Sequence, residues 1–187
     1  TSTGMSFGNG SGQFNGLAIG SSGTSAYAFN RTYSESAIAI YAWTPSGTRT
    51  WTGALPGKTG LSYSSLIAGG VSPVDSSGKY YFGGYTSTNS GGTRFQLFSY
   101  SYNASATSSA VTYVGYVQIR SDTSDSNNGD LAFDAQGNLY ILWNNADAGA
   151  SRLVSVTASA LQNHQSGQPL PAGSTRTITS AKNAQYN

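Results

Sequence analysis

An all-β fold is what this sequence predicts, and two observations predict it. The first is a hairpin spelled out at residues 129–145, "GDLAFDAQGNLYILWNN". Leu131 and Phe133 alternate with small or polar neighbours, Asp134 to Asn138 supply turn residues, and Leu139, Ile141 and Trp143 resume the alternation. Asp134 has the side chain to accept backbone N–H bonds across the bend. Gly137 can take the positive φ that a tight turn between twisted strands requires. A single hairpin is marginal in water, so this one needs neighbours.

The second observation is recurrence. "GLAIGSSGTSAYAF" (16–29) and "AGGVSPVDSSGKYYFGGY" (68–85) have the same order of parts, with turn glycines at Gly23, Gly78 and Gly137. Each hairpin is followed by a third alternating run: "SAIAIYAWTP" (36–45), "TRFQLFSYSY" (93–102) and "SRLVSVTA" (151–158). A fourth run follows in each case: "TRTWTG" (48–53), "VTYVGYVQI" (111–119) and "STRTITS" (174–180). The chain reads as one domain holding three copies of a four-stranded antiparallel unit, roughly residues 12–56, 65–120 and 127–180, with close to no helix.

Four antiparallel strands repeated at such a spacing are the mark of a β-propeller blade. At the residue level "GDLAFDAQGNLYIL" resembles the first hairpin of NHL-type and lactonase-type propeller blades, as found in secreted or cell-surface bacterial proteins. In that hairpin Asp-x-x-Gly-Asn leads into an apolar-Tyr-apolar strand. The third copy carries the pattern well, the second keeps "VDSSGKYYF", and the first keeps only the glycine turn. The alternative fold is a β-sandwich adhesin domain, which also alternates. Three blades do not close a ring, since the smallest propellers have about four. "GQFNG" (12–16) opens the first copy and the chain stops at "AQYN" (184–187), which reads as a cut at a blade boundary. The expectation is therefore part of a propeller, with apolar, aromatic flanks on its first and third blades. A second polypeptide carrying the remaining blades would cover those flanks.

Composition narrows the function. Charged residues make up 9% of the chain, against about 25% in an average soluble domain. Ser, Thr, Gly, Asn and Tyr take their place, as on secreted and cell-wall proteins, so a secreted or cell-surface location is expected. Nine scattered cations against seven anions, a net charge of +2, form no phosphate footprint, so no nucleic-acid partner is expected. There is no cysteine, hence no disulfide or thiolate metal site. No apolar run approaches the ~20 residues that span a bilayer. Thr1 opens the chain without an apolar leader, so any signal peptide is expected either to have been removed or to lie outside this sequence.

In a propeller, the loops from strand two to three and from the outer strand to the next inner strand gather on one face, where ligands bind. Here these are "NRTYSES" (30–36), "TSTNSGG" (86–92), "SDTSDSNNGD" (121–130) and "NNADAGA" (144–150). They hold Glu35, Asp122, Asp125, Asp130 and Asp147, with Tyr33 and Tyr85 in or beside them. The expected ligand-binding residues are Tyr33, Glu35, Tyr85, Asn89, Asp125, Asn127, Asn145 and Asp147. Aromatic faces ringed by Asn and Ser donors suit a surface glycan, and a protein ligand is the other candidate. Most aromatics read instead as packing between blades, Tyr80, Phe82, Phe95, Phe98 and Tyr140 among them. Asp75 and Asp134 read as turn residues on the opposite face.

Catalytic material is sparse. Asp122, Asp125 and Asp130 are the nearest thing to a Ca²⁺ site. However, Ser124 and Ser126 stand where a D-x-[DN]-x-[DN]-G loop needs carboxylate or amide oxygen, so no cofactor is expected. His164 is the single histidine, in a stretch that reads as an outer-strand loop, and neither G-x-S-x-G nor H-E-x-x-H occurs. Glu35, Asp122 and Asp147 are the candidates for paired carboxylates across a channel. Lactonase-type propellers hold a metal through a Glu and several Asn or Asp at inner-strand ends, and that set has no assignment here. Sequons at Asn30 and Asn103 are of the kind a chain rich in Asn, Ser and Thr carries by chance. A binding or adhesion module is the expected function. The alternative is a propeller hydrolase or lactonase whose active residues lie mainly in a missing second half.

Overall fold

The computed structural model describes residues 12–31, 36–45, 47–57, 60–75, 78–102, 110–124, 127–145 and 150–178, the last five by backbone alone. Among these residues twelve strands form three antiparallel sheets, each a meander of four consecutive strands. The first holds β1 (Phe14–Ile19), β2 (Ala26–Asn30), β3 (Ile38–Thr44) and β4 (Gly47–Gly53). The second holds β5 (Leu66–Val71), β6 (Lys79–Thr88), β7 (Gly92–Ser101) and β8 (Val111–Arg120). The third holds β9 (Asn128–Phe133), β10 (Leu139–Asn145), β11 (Ala150–Val156) and β12 (Ser174–Ile178). The repeated four-stranded groups read from the sequence coincide with these three sheets.

Each unit opens on the same turn. Gly23, Gly78 and Gly137 all have φ between +68° and +79°. Each donates its N–H to the carbonyl three residues back: Gly20 at 2.8 Å, Asp75 at 3.2 Å and Asp134 at 3.0 Å. In the third copy the Asp134 side chain completes the turn. Its Oδ1 accepts from the Gln136 and Asn138 backbone N–H groups, and its Oδ2 accepts from the Asn138 amide and the Tyr140 hydroxyl. The sequence reading of Asp134 as a turn residue is what the geometry contains. Tyr140 is a correction, because it is half-buried and supports this turn instead of lying in the core.

The second sheet lies between the other two. Tyr80, Phe82, Phe98 and Tyr100 face the first sheet, where they meet Tyr27, Phe29, Ile38, Ile40 and Trp51. Tyr81, Tyr85, Phe95 and Leu97 face the third, where they meet Leu139, Ile141, Trp143 and Val154. Successive residues of a strand point to opposite faces, so a sheet covered on both sides must be apolar on both. That is why "YYF" in β6 breaks simple alternation and is buried throughout. In β10 only Leu139, Ile141 and Trp143 are buried apolar side chains, and strict alternation returns.

Hydrogen bonds pin the stacked sheets. The Tyr80 hydroxyl donates to the Gly16 carbonyl of β1 at 2.6 Å, and Tyr85 donates to the Leu142 carbonyl of β10 at 2.5 Å. Tyr27 and Tyr80 stack with centroids 5.3 Å apart, and Tyr80, Phe82 and Phe98 continue the stack. The opening strands lie side by side, β5 between β1 and β9. The glycine pair in β5 permits this approach. A Cβ on Gly69 would sit 2.6 Å from the Gly16 carbonyl oxygen, and one on Gly70 would sit 2.6 Å from Leu131.

The outer faces of the first and third sheets differ. The first keeps Phe14 and Ile19 at 37% and 58% exposure, with Phe14 and Tyr41 rings 5.5 Å apart. The third, expected to be apolar and aromatic, mixes apolar and polar side chains among its described residues. Leu142 is flanked there by Asp130 and Leu153, Asn144 by Asn128 and Ser151, and Tyr140 by Ala132 and Ser155. Among the described residues helix is confined to a 3₁₀ turn (Tyr63–Ser65) and α1 (Ala158–Asn163), which the sequence reading took as loop. Thr157 caps it by accepting from Ala160 N–H, and Leu161 is buried beneath it. Beyond α1 the chain docks on β8, with Gly167 and Leu170 donating to the Val114 and Tyr116 carbonyls.

The Asp134 carboxyl is held below the ordinary carboxylate range, first by the Asn138 side-chain amide and then by the backbone and phenol donors. A depressed folded-state pKa contributes stability above the unfolded value of about 3.9, and that stability is lost as pH falls through the folded value. Urea unfolding of the protein and of Asp134→Asn should therefore give midpoints that differ at pH 7 and converge in acid. Midpoints separated equally at both pH values would show that the carboxylate charge contributes nothing.

Candidate functional site

A cleft of about 700 Å³ opens over the starts of the side-by-side strands β1, β5 and β9. Asn15, Arg31, Ser64, Ser65, Ile67, Asn127, Asn128, Gly129, Asp130 and Asn144 line it. The strand ends fix these positions. Arg31 follows β2, Ser64 lies in the 3₁₀ turn Tyr63–Ser65 before β5, and Asn128 and Asn144 are paired directly across β9 and β10.

The lining is braced from within. The Arg31 guanidinium donates to the Gln13 side-chain oxygen through Nε at 2.8 Å and through Nη2, and to the Ser64 carbonyl through Nη1 at 3.0 Å. This ties the end of the first sheet to the entry of the second. Asn128 accepts the Gly129 N–H, Asp130 accepts the Leu131 N–H, and Asn144 accepts the Ser151 hydroxyl. The side-chain NH₂ groups of Asn128 and Asn144 and the second Asp130 oxygen make no hydrogen bond among the described residues. The cleft thus presents amide donors, a carboxylate oxygen and a positioned cation, with charge close to balanced.

The residues expected to bind ligand divide into three groups. Tyr33, Glu35, Asp125 and Asp147 lie outside the described residues. Asn89 is exposed at the β6–β7 turn, away from the residues that line the cleft. Tyr85 and Asn145 are buried, while half-buried Asn127 stands in the cleft wall with its side chain held by inward contacts. Tyr85 is buried, and burial followed by the charge of Asp130 pushes its phenol far above its ordinary pKa. Asn127 Oδ1 accepts the Trp143 indole N–H at 2.7 Å, and its NH₂ donates to the Ser124 carbonyl at 2.7 Å. Buried Asn145 donates to the Ser124 hydroxyl. Asn128 and Asn144, each one position away, are the cleft residues the sequence reading missed. Their signal was parity: if Trp143 points into the core, Asn144 points out and Asn145 back in.

Asp122 is not open to solution chemistry alone. Arg120 holds both its oxygens, Oδ1 from Nε at 2.6 Å and Oδ2 from Nη2, and that hydrogen bonding is the main cause of its lowered pKa. The Arg120 guanidinium also lies 5.0 Å over the Trp143 ring. No group of three His, Asp or Glu side chains among the described residues is arranged to hold a metal ion. Nor is any helix among them long and apolar enough to cross a membrane. Asn30 of the first sequon is buried in β2, and Asn103 lies outside the described residues.

Fold and cleft together define an all-β protein of three stacked four-stranded meanders, with a polar cleft over their opening strands. Set against family models, curated proteins and solved structures, the chain matches none.

Neighbouring asparagines should respond differently to substitution. Asn127→Ala leaves the buried indole N–H of Trp143 without its acceptor, which costs about 1–3 kcal/mol. Asn128→Ala, at an exposed position, should stay within about 0.5 kcal/mol of the parent. Chemical denaturation of both variants checks this, and equal losses would contradict the inward and outward assignment.

Proposed function

We propose that the three sheets are blades of a β-propeller, and that the chain is a secreted or cell-surface binding module that takes a neutral glycan in the cleft over β1, β5 and β9. The supporting observation is the cleft lining. Free amide NH₂ groups of Asn128 and Asn144, a spare Asp130 oxygen and braced Arg31 offer directional bonds to sugar hydroxyls without a net charge to select an ion. Because Arg31 and Ser64 are already joined, little ordering is needed when a ligand arrives. The low charge of the whole surface fits a protein that works outside the cell.

The propeller reading also gives the first sheet a role. Its outer face, with Phe14 and Ile19 exposed, is where a further blade packs, supplied by a second polypeptide. The third sheet's outer face has a different chemistry and would meet a more polar partner.

A glycan array probed with the protein and with an Asn128→Ala/Asn144→Ala variant tests the binding site. The parent should give a defined set of signals, and the variant should lose them by roughly tenfold or more at unchanged melting temperature. Signals that survive the double substitution would place binding elsewhere and sink the assignment.

A further inference from the structure

A second cleft lies at the other end of the sheets. It has a volume of about 450 Å³ and sits between the β5–β6 turn, the β9–β10 turn and helix α1. Ser72, Asp75, Lys79, Tyr81, Ser99, Thr112, Gln162, His164 and Ser166 give it its polar character, with Lys79 and Asp75 offsetting each other in charge. None of these was singled out as a ligand-binding residue by the sequence.

Two of its hydroxyls are unusual. Ser72 and Ser99 are 4% and 8% exposed, yet neither side chain has a hydrogen-bond partner among the described residues. A buried hydroxyl without a partner is costly. No side-chain oxygen or nitrogen sealed from solvent lacks a partner among the described residues, so these two oxygens are reached from the cleft itself. They are polar groups set in the wall of a cavity and not used by the fold.

The other groups complement them. The Tyr81 hydroxyl points toward Asp75 Oδ2, 3.5 Å away, and burial together with Asp75 pushes its pKa to about 12, so it stays a donor at neutral pH. His164 Nδ1–H donates to the Leu161 carbonyl at 2.6 Å, which fixes the ring and leaves Nε2 unused by that bond. Val114 and Leu161 add apolar patches to the wall. Hydroxyls, an amide, one carboxylate balanced by one ammonium, one imidazole and small apolar surfaces in a volume of this size suit a compact neutral polyol.

We propose that this cleft is a binding site for a small neutral polyol, a single sugar ring in size, with Ser72 and Ser99 as its buried hydrogen-bonding pair. The site stands apart from the cleft over β1, β5 and β9 and does not depend on the reading given to that cleft. A bound polyol would replace the waters that otherwise satisfy the two hydroxyls.

The test is a ¹H–¹⁵N NMR titration of the full chain with methyl α-glucopyranoside, methyl α-galactopyranoside, N-acetylglucosamine and glycerol. Each is taken to roughly 100 mM, where even a millimolar site is filled. At least one sugar should shift the amides around Ser72, Ser99 and His164. Ser72→Ala/Ser99→Ala should weaken that binding about tenfold or more and leave the melting temperature unchanged, since these hydroxyls bond nothing in the fold. Asn128→Ala should leave it untouched. Three results would overturn the proposal: no shift in this cleft with any probe, shifts unchanged in the double serine variant, or a clear drop in its melting temperature. Binding lost in Asn128→Ala but kept in the serine variant would favour the opposite cleft and also count against this one.

Discussion

The second sheet carries the rest of the molecule because it is buried on both faces. β6 and β7 present Tyr80, Phe82, Phe98 and Tyr100 to one neighbour and Tyr81, Tyr85, Phe95 and Leu97 to the other. Each large apolar side chain buried there is worth roughly 1.5–3 kcal/mol, and each aromatic pair adds about 0.5–1.5 kcal/mol. Without this shared wall the first and third sheets have no common core. Both clefts are also framed by it, one at the start of β5 and the other at the β5–β6 turn.

Tyrosine suits this arrangement better than phenylalanine alone. A face that must be apolar still meets the carbonyls of a neighbouring sheet at its edges, and a buried carbonyl needs a donor. Tyr80 and Tyr85 each place a ring in the core and a hydroxyl on a backbone oxygen of the next sheet. The interfaces are thereby held in register with few charges. The charges that do occur there are arginines: Arg120 covers Trp143 and is neutralised by Asp122, while Arg31, Arg49 and Arg152 donate to backbone carbonyls of Ser64, Tyr102 and Ile119. The Gly69–Gly70 pair is the matching constraint on the backbone, letting β1 and β9 close on β5 from either side.

Much of this was legible in the sequence because strands and tight turns have local signatures. The glycine turns and alternating runs located all twelve strands to within a residue or two at most ends, and marked Phe82, Phe95 and Phe98 as core. What was not legible depends on which side of a sheet is covered. Tyr85 stands beside a loop in sequence but faces a neighbouring sheet in space. Asn145 looks like a loop donor, yet it serves Ser124; Asn127 does line the cleft but is held by Trp143 and Ser124, and Asn128 and Asn144 beside these two reach the cleft as well. Helix α1 escaped notice because six residues with one buried leucine carry too little periodicity to register. The mixed outer face of the third sheet was less legible for a related reason: strand pattern alone does not say which side of an end sheet is covered.

Amide hydrogen exchange measured strand by strand tests the central claim most directly. If the second sheet is the shared wall, the amides of Tyr80–Tyr85 and Phe95–Ser99 should exchange most slowly, only through global unfolding. Those of β1 and β4 should open locally and exchange faster. Protection in β1 or β4 equal to that in β6 and β7 would contradict the account, because the sheets would then not depend on a doubly buried centre.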